Sequence, residues 1–375
     1  MRGQHAFRSR PSCRPDLRVV PAQQGKQDGI EKMRHVALLG GSFDPIHRGH
    51  LTMARTALEQ LGADEVWFIP TYETPLKDRV LTSDSHRLAM IALAIQDEPR
   101  FRCDPIEVER AEKSYTIDTL RELTARYPDT KFTVLIGADQ VAQFDRWRDH
   151  EQLLELADVV GVEREGSVGA NPCGLPCVKM EAVPVSSSMV RLGQGLNYVD
   201  RRVLDYIYAH RLYVKDFIKS RVHEHRYLHS CSVADLCELF ALENGYDPTK
   251  AYLAGLFHDV CKELAPSQMR AWIKAIAPKY LDAHPAIWHG FVGGQVVRSV
   301  FFMDDWQIAN AIHWHVLGQS GDPYAMMVYC ADKLDPLRGY DSYDLIEECK
   351  RDIYKGFEKT KAQNDEYVKK KENRK

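Results

Sequence analysis

Two histidines three residues apart close a stretch whose fixed positions all suit a phosphate. It runs Gly40-Gly41-Ser42-Phe43-Asp44-Pro45-Ile46-His47-Arg48-Gly49-His50. Glycine at 40 and 41 lets a ligand approach the main chain with no Cβ in the way. Imidazoles at 47 and 50 can face one phosphate, and as imidazolium they would stabilise charge growing on it. The stretch has no G-K-[ST] and no G-x-G-x-x-G, which excludes the two commonest glycine-rich nucleotide loops. A second set of chemically able residues lies far downstream: His229, His258, Asp259, His289, His315 and Asp332. They stand among apolar neighbours, as in Ala254-Gly255-Leu256-Phe257-His258-Asp259-Val260. Any one of these histidines could be a satisfied core residue. Together, imidazole plus carboxylate suits Fe, Mn or Zn rather than Ca. Paired metals there would polarise a phosphate and activate water.

The first set needs a strand, a turn and a helix start to position it. His35 to Leu39 is a short apolar run that reads as a buried parallel strand, and Leu51 to Leu61 has helical spacing closed by Gly62. A helix start there offers free N–H groups and a positive dipole end to a phosphate. Further strands are expected at Glu65–Pro70, Phe101–Val108, Lys131–Ile136 and Val159–Val162, alternating with helices such as Ser83–Ile95. This alternation predicts a doubly wound parallel sheet, a Rossmann-like α/β domain with its ligands at the carboxyl ends of the strands. Lys77 lies in a loop at such an end, and Ser186-Ser187-Ser188 with Arg191 opens a short helix whose hydroxyls and guanidinium suit phosphate oxygens. From Phe217 onward helical spacing takes over, with helices expected at His229–Leu242, Ala251–Leu264, Ala309–Val316 and Ala325–Leu334. The second half therefore reads as all-α, with His258-Asp259 on a helix, its two side chains about 100° apart.

The 375-residue chain is long enough for two or three domains, and 44% hydrophobic residues supply more than one core. A net charge of −3 gives no global field to recruit nucleic acid or an anionic membrane. No apolar run of about 18 residues exists to span a membrane. Nine scattered cysteines, an odd number, point to reduced thiols and a cytoplasmic setting. Cys173 and Cys177 flank a Pro/Gly loop without two further zinc ligands nearby, so they read as an ordinary loop. Residues 1–32 hold five arginines and three prolines with no apolar core, and read as a disordered leader or as sequence upstream of a start at Met33. The expected domains are 33–214 and 215–355, followed by a charged, solvated and partly helical tail at 356–375.

The Gly40–His50 stretch fits the G-x-F-x-P-x-H-x-G-H signature of the nucleotidyltransferase superfamily. With Lys77, Ser114–Leu120, Gly137-Ala138-Asp139, Trp147 and Ser186–Arg191, residues 33–214 resemble bacterial nicotinate-mononucleotide adenylyltransferase. The resemblance implies transfer of AMP from ATP, with Mg²⁺, to nicotinate mononucleotide, giving deamido-NAD and pyrophosphate. It implies that His47 and His50 hold the ATP phosphates and the transition state. Gly40, Gly41, Ser42, Phe43, Lys77, Ser186, Ser188 and Arg191 complete the ATP side, and Tyr115, Thr116, Asp139 and Trp147 frame the nicotinate nucleotide. One departure stands at Val160-Gly161-Val162-Glu163-Arg164-Glu165-Gly166, where the family tends to read arginine-proline-glycine.

The downstream set resembles the HD superfamily of metal phosphohydrolases. The contexts Arg226-Tyr227-Leu228-His229-Ser230, His258-Asp259-Val260-Cys261-Lys262-Glu263, His289-Gly290-Phe291, Ala311-Ile312-His313-Trp314-His315 and Tyr329-Cys330-Ala331-Asp332 narrow it to bacterial symmetrical diadenosine-tetraphosphate hydrolases. That resemblance implies a dinuclear centre, Fe first and Mn or Zn as alternatives, on His229, His258, Asp259, His289, His315 and Asp332. Lys262 and Arg338 would bind phosphate. His313 falls at a variable position, and Val316 replaces a hydroxyl residue common after the ligand histidine. The alternatives are a nicotinamide-mononucleotide or phosphopantetheine enzyme in the first half, and another nucleotide or a merely regulatory nucleotide-binding module in the second. A homo-oligomer stays open.

Overall fold

In the computed structural model a short apolar sequence becomes the centre of a sheet. β1 (Arg34–Gly41) lies between β2 (Glu65–Pro70) and β4 (Thr130–Gly137). β3 (Phe101–Cys103), β5 (Asp158–Arg164) and β6 (Cys177–Met180) extend the sheet to the order β3-β2-β1-β4-β5-β6, every neighbour parallel. The strand order reverses at β1, so the crevice outside the carboxyl ends of β1 and β4 is where such a sheet receives its ligand. The model describes residues 33–73, 80–113, 115–164 and 169–372. Lys77, Ser114 and the 165–168 part of the departing loop lie outside the described residues.

Alternate residues of β1 enter different cores, as strand geometry requires. Val36 and Leu38 join Trp67, Ile117, Leu120, Phe132 and Val134 on one face. Ala37 and Leu39 join Phe43, Leu51, Ala54, Phe68 and Leu135 on the other. This second core does not stop at the domain edge. It runs through Val203, Ile207, Val214 and Phe217 into Phe257, Phe301 and the helical half. Helices Arg201–Ala209 and Val214–Lys219 carry it, separated by four residues. Phe217 stacks on Phe301 at 6.0 Å, Tyr208 donates to the Phe301 carbonyl, and Arg221 donates to the Gly193 carbonyl at 3.0 Å. The chain thus passes between its halves with no linker.

The helical half begins with the long helix Glu224–Asn244. Helices Pro248–Phe257, Trp288–Ser299, Trp306–Trp314 and Pro323–Leu334 position the rest of the candidate ligand set, His289 and Asp332 within them and His258, Asp259 and His315 just past their ends. Asp247-Pro248 and Asp322-Pro323 start two of them, the aspartate accepting from first-turn N–H groups and proline occupying the first helical position. Gly255 lets the first two of these helices touch: a Cβ there would lie 2.9 Å from Ala234 Cα.

Three expected elements differ. Only Phe101–Cys103 is strand, because Asp104 accepts from Ile106 N at 3.2 Å and turns the chain into a helix at Ile106–Arg110. The helix expected over Ala251–Leu264 ends at Phe257, and His258-Asp259 opens a series of tight i→i−3 turns: His258 N to Gly255 O, Val260 N to Phe257 O and Lys262 N to Asp259 O. The charged end, expected to be solvated and partly helical, is one continuous helix, Ile353–Glu372, largely exposed over 361–370. It buries Ile353 and Thr360 and sets Phe357 5.3 Å from the Tyr329 ring.

Candidate functional site

The turn after β1 is shaped by its own residues. Phe43 takes a left-handed φ of 45° and buries its ring, which packs edge-on to His50 at 5.0 Å. Buried Arg87, from the helix Asp84–Ile95, donates to the Ser42 carbonyl at 2.9 Å and fixes the turn from behind. His47 caps the helix Arg48–Gln60, its Nδ1 accepting from Gly49 N at 3.2 Å, while His50 Nδ1 accepts from His47 N at 3.2 Å. The two rings stack with centroids 3.8 Å apart.

This arrangement corrects one expectation. The N–H groups of His47 and Gly49 are not left free but are taken up by the imidazoles, and with Nδ1 accepting, each neutral ring carries its proton on Nε2. Burial, reinforced by the Arg164 guanidinium, pushes His47 down to about 4. In this fold the ring is therefore neutral near pH 7, with its proton on Nε2.

Across the crevice the helix Ser187–Arg191 is bonded to the same turn. Ser187 Oγ donates to the Pro45 carbonyl at 2.9 Å and Arg191 Nη1 to the Asp44 carbonyl at 2.6 Å. Arg191 Nη2 also donates to Ser188 Oγ at 3.1 Å, while Ser186 Oγ caps its own helix by accepting from Met189 N. Histidines, hydroxyls and Arg191 are thus brought together. Gly40 has open space where a Cβ would stand, as close approach of a ligand demands. On the sheet's other face, Tyr115 and Trp147 pack half-buried against the second core. Arg148 lies over Tyr115 at 4.8 Å, Thr116 begins the helix Thr116–Arg126, and Asp139 is exposed in the turn after β4.

The second cluster is closed. His229, His258, Asp259, His289, His315 and Asp332 are all buried. His289 Nε2 lies 3.1 Å from Asp259 Oδ1, His315 Nε2 3.7 Å from the same oxygen, and His258 Nε2 3.7 Å from Asp259 Oδ2. Asp332 Oδ1 stands 3.2 Å from His229 Nε2 and 3.8 Å from His258 Nε2. Two overlapping groups are spaced to hold a cation, His229/His258/Asp332 and His258/Asp259/His315. Helix ends explain how. His258 and His315 each cap the C-terminus of a helix, and their Nδ1 atoms donate to last-turn carbonyls, Gly255 O and Ile312 O, both at 2.7 Å. The carbonyls that a helix end leaves over therefore fix both tautomers and aim Nε2 inward. His258 Nε2 is buried without a hydrogen-bond partner among the described residues, and carboxylates lie on two sides of it. A buried lone pair in that setting fits a metal.

Four cations cover the carboxylates. Arg226 Nη1 donates to Asp259 Oδ2 at 2.6 Å, and Lys262 stands 3.7 Å from Asp259 Oδ1. Lys333 Nζ donates to Asp332 Oδ2 at 2.7 Å, and Arg338 Nε to the Asp332 carbonyl at 2.6 Å. Burial lowers Lys262, as it lowers His258 to about 4. Burial also acts downward on His229, but the Asp332 and Asp335 carboxylates outweigh it and hold that ring at about 9. Asp335, Arg226 and Lys333 were missed as site residues in the sequence. Asp335 is fully buried and accepts from His229 Nδ1 at 2.5 Å and from Ser232 Oγ at 2.6 Å. Its only sequence signal was a carboxylate one helical turn beyond Asp332.

A six-stranded parallel sheet with a paired-histidine phosphate turn, followed by helices closing on a His/Asp cluster, defines a nucleotidyltransferase joined to an HD domain. The cytidylyltransferase-like family model matches residues 38–193, and the HD domain model residues 226–337. The probable nicotinate-nucleotide adenylyltransferase of Bacillus pumilus is 37% identical over 187 residues, 48% of this chain and 99% of that one. The chain belongs to the nicotinate-nucleotide adenylyltransferase family. Two relatives extend over both halves, the probable nicotinate-nucleotide adenylyltransferase/Ap4A hydrolases of Mycoplasma pneumoniae and Mycoplasma genitalium. They are 26% and 28% identical, cover 86% and 82% of this chain, and are themselves covered to 97% and 89%. The HD domain implies a divalent metal, and the buried cluster is its candidate site. No helix among the described residues is long and apolar enough to cross a membrane.

Proposed function

We propose that the chain is a bifunctional nucleotide enzyme. Residues 33–214 join ATP, with Mg²⁺, to nicotinate mononucleotide, and the helical remainder cleaves diadenosine tetraphosphate symmetrically into two ADP. In the first reaction a phosphate oxygen of the mononucleotide attacks the α-phosphorus of ATP. A new P–O bond forms, the bond to the bridging oxygen breaks, and pyrophosphate leaves. The nucleophile is already an anion, so no general base is required, and proximity with charge neutralisation carries the step. The observation that supports this most is the His47–His50 stack at the helix start, in which main-chain donors at Nδ1 leave the proton of each neutral ring on Nε2. Arg191, Ser186 and Ser188 face the phosphates from the other side, and Lys77, outside the described residues, is proposed to join them on the strength of the sequence alone. Tyr115, Thr116, Asp139 and Trp147 are proposed to receive the pyridine nucleotide, Trp147 by stacking.

In the second half, His229, His258, Asp259, His289, His315 and Asp332 would hold the metal pair. Fe, Mn and Zn all suit the donor set. A metal pair there supplies Lewis acidity to the phosphoanhydride. Arg226, Lys262, Lys333 and Arg338 bring positive charge to the substrate's phosphate chain.

The test is a substrate panel on the purified chain. Nicotinate mononucleotide should be adenylylated faster than its amide, and diadenosine tetraphosphate should yield ADP alone. A preference for the amide or for phosphopantetheine overturns the first assignment. AMP plus ATP as products overturns the second.

A further inference from the structure

We infer that Tyr213, at the junction of the two halves, is a positioning residue for adenylyl transfer, acting through Asp44 of the phosphate turn. This rests on the adenylyltransferase reading above. Asp44 is completely buried three residues before His47. Its carboxylate accepts from the Tyr213 hydroxyl and from Thr82 N at 3.4 Å, while its carbonyl accepts from Arg191 at 2.6 Å. One residue thus holds both walls of the crevice: its chain continues into the histidine turn, and its carbonyl orients the guanidinium opposite.

Tyr213 is itself set in place. It occupies a left-handed conformation, φ 60°, at the cap of the helix Val214–Lys219. Thr82 Oγ1 donates to its hydroxyl at 3.2 Å, which leaves the phenol proton directed to Asp44. Burial, with the Asp44 carboxylate beside it, pushes the phenol far above its ordinary value, so it remains a donor across the neutral range. The helix that follows places Phe217 against Phe301 of the helical half. A side chain held in an unfavourable backbone conformation, aimed across 169 residues of sequence at a buried carboxylate, is over-determined in the way a functional support is.

Removing the phenol proton should leave the substrates bound but misaligned. A displacement of the reacting groups by a fraction of an ångström is costly in rate and cheap in affinity. Tyr213→Phe should lower kcat for adenylyl transfer about tenfold or more, with KM for ATP and for nicotinate mononucleotide within about threefold of wild type. Bound metal and hydrolysis of diadenosine tetraphosphate should not change. Asp44→Asn in the Tyr213→Phe background should add much less than it does alone, since both changes break one bond. Wild-type kcat in folded Tyr213→Phe overturns the inference, as does full additivity with Asp44→Asn. If Tyr213→Phe does not fold, Thr82→Val decides. It removes only the donor to the phenol and should lower kcat measurably with KM unchanged; an unchanged kcat overturns the inference. Failure of the wild-type chain to adenylylate nicotinate mononucleotide would instead overturn the underlying reading.

Discussion

The two sites solve opposite problems with the same side chain. At the phosphate turn, histidines sit at a helix N-terminus and use Nδ1 as an acceptor, so that Nε2 is left as a donor. In the helical half, His258 and His315 sit at helix C-termini and use Nδ1 as a donor, so that Nε2 points inward as a lone pair. A helix has spare N–H groups at one end and spare carbonyls at the other. Which end a histidine caps therefore decides whether its Nε2 is left as a donor, suited to an anion, or as a lone pair, suited to a cation. The first site is open and assembled largely from one segment. The second is buried, is drawn from five segments of the helical half, and holds two carboxylates that need a cation to be tolerable.

The sharpest way to break this contrast is to remove ligands from the closed site. His258→Ala with Asp259→Ala deletes the ligand shared by the two candidate cation groups and the carboxylate of one of them. Hydrolysis of diadenosine tetraphosphate should fall below detection, and bound Fe, Mn and Zn should be lost, since the remaining donors cannot close a coordination shell. Synthesis of deamido-NAD should stay within a few-fold of wild type. The check is both rates and metal analysis on the same preparation. Hydrolysis that persists without metal would refute the HD assignment. The experiment belongs on the full chain, because the core shared through Val214, Phe217 and Phe301 makes chemistry separable where folding is not.

At the open site, His50→Ala removes one preorganised donor and should cut adenylyl transfer by about 10²-fold. Hydrolysis should not change. Near-normal synthesis in steady-state assays would show that the ring is a cap and nothing more.

What could be seen in the sequence follows the same contrast. The open site is contiguous, so its strand, turn and helix could be read from Val36 to Leu61 with the glycines and histidines in place. The direction of its hydrogen bonds could not, because Nδ1 acceptance depends on the turn geometry that Phe43 and Arg87 impose. The closed site was legible as a set of ligand types in apolar surroundings. Its helix ends were not: periodicity continued from Ala251 to Leu264, and only the tight turns after Phe257 stop the helix where His258 becomes a cap. Asp335 was invisible because its task is tertiary, received from His229 more than a hundred residues earlier in the chain. The charged end was legible as solvated and partly helical, but its inward stripe was not. Its composition reads as solvated, yet Ile353, Phe357 and Thr360 recur at helical spacing and pack inward.

Asp335 sharpens the account of the closed site without destroying it. Asp335→Asn keeps the shape but weakens the acceptor for His229 Nδ1. Loss of such a support typically costs about tenfold to a hundredfold in metal affinity. Titration with a metal chelator should show that loss, and saturating metal should restore most of the hydrolysis. Unchanged affinity would mean that His229 is oriented by its helix alone.

The smallest expected effect tests the claim that His47 is a neutral donor. Its ring is held at about 4 in the fold, against about 6.5 when unfolded. Between those values the unfolded chain binds the extra proton and the folded chain does not. Folding stability therefore rises with pH through this window and is lost as pH falls from 6.5 toward 4. His47→Asn retains a good helix cap but has nothing to titrate. Between pH 6.5 and pH 5, wild type should lose about 1–2 kcal/mol more stability than the variant. Since all other titrating groups are common to both chains, the difference of their melting temperatures isolates His47. Above pH 7 that difference should be flat. A difference that stays flat down to pH 5 would mean that the fold leaves the ring's proton affinity at its unfolded value, and a wild type that gains stability over the variant as the pH falls through 7 would mean that the folded ring carries its proton there. The anion-binding site would then work by net charge instead of by a hydrogen bond aimed from a helix cap.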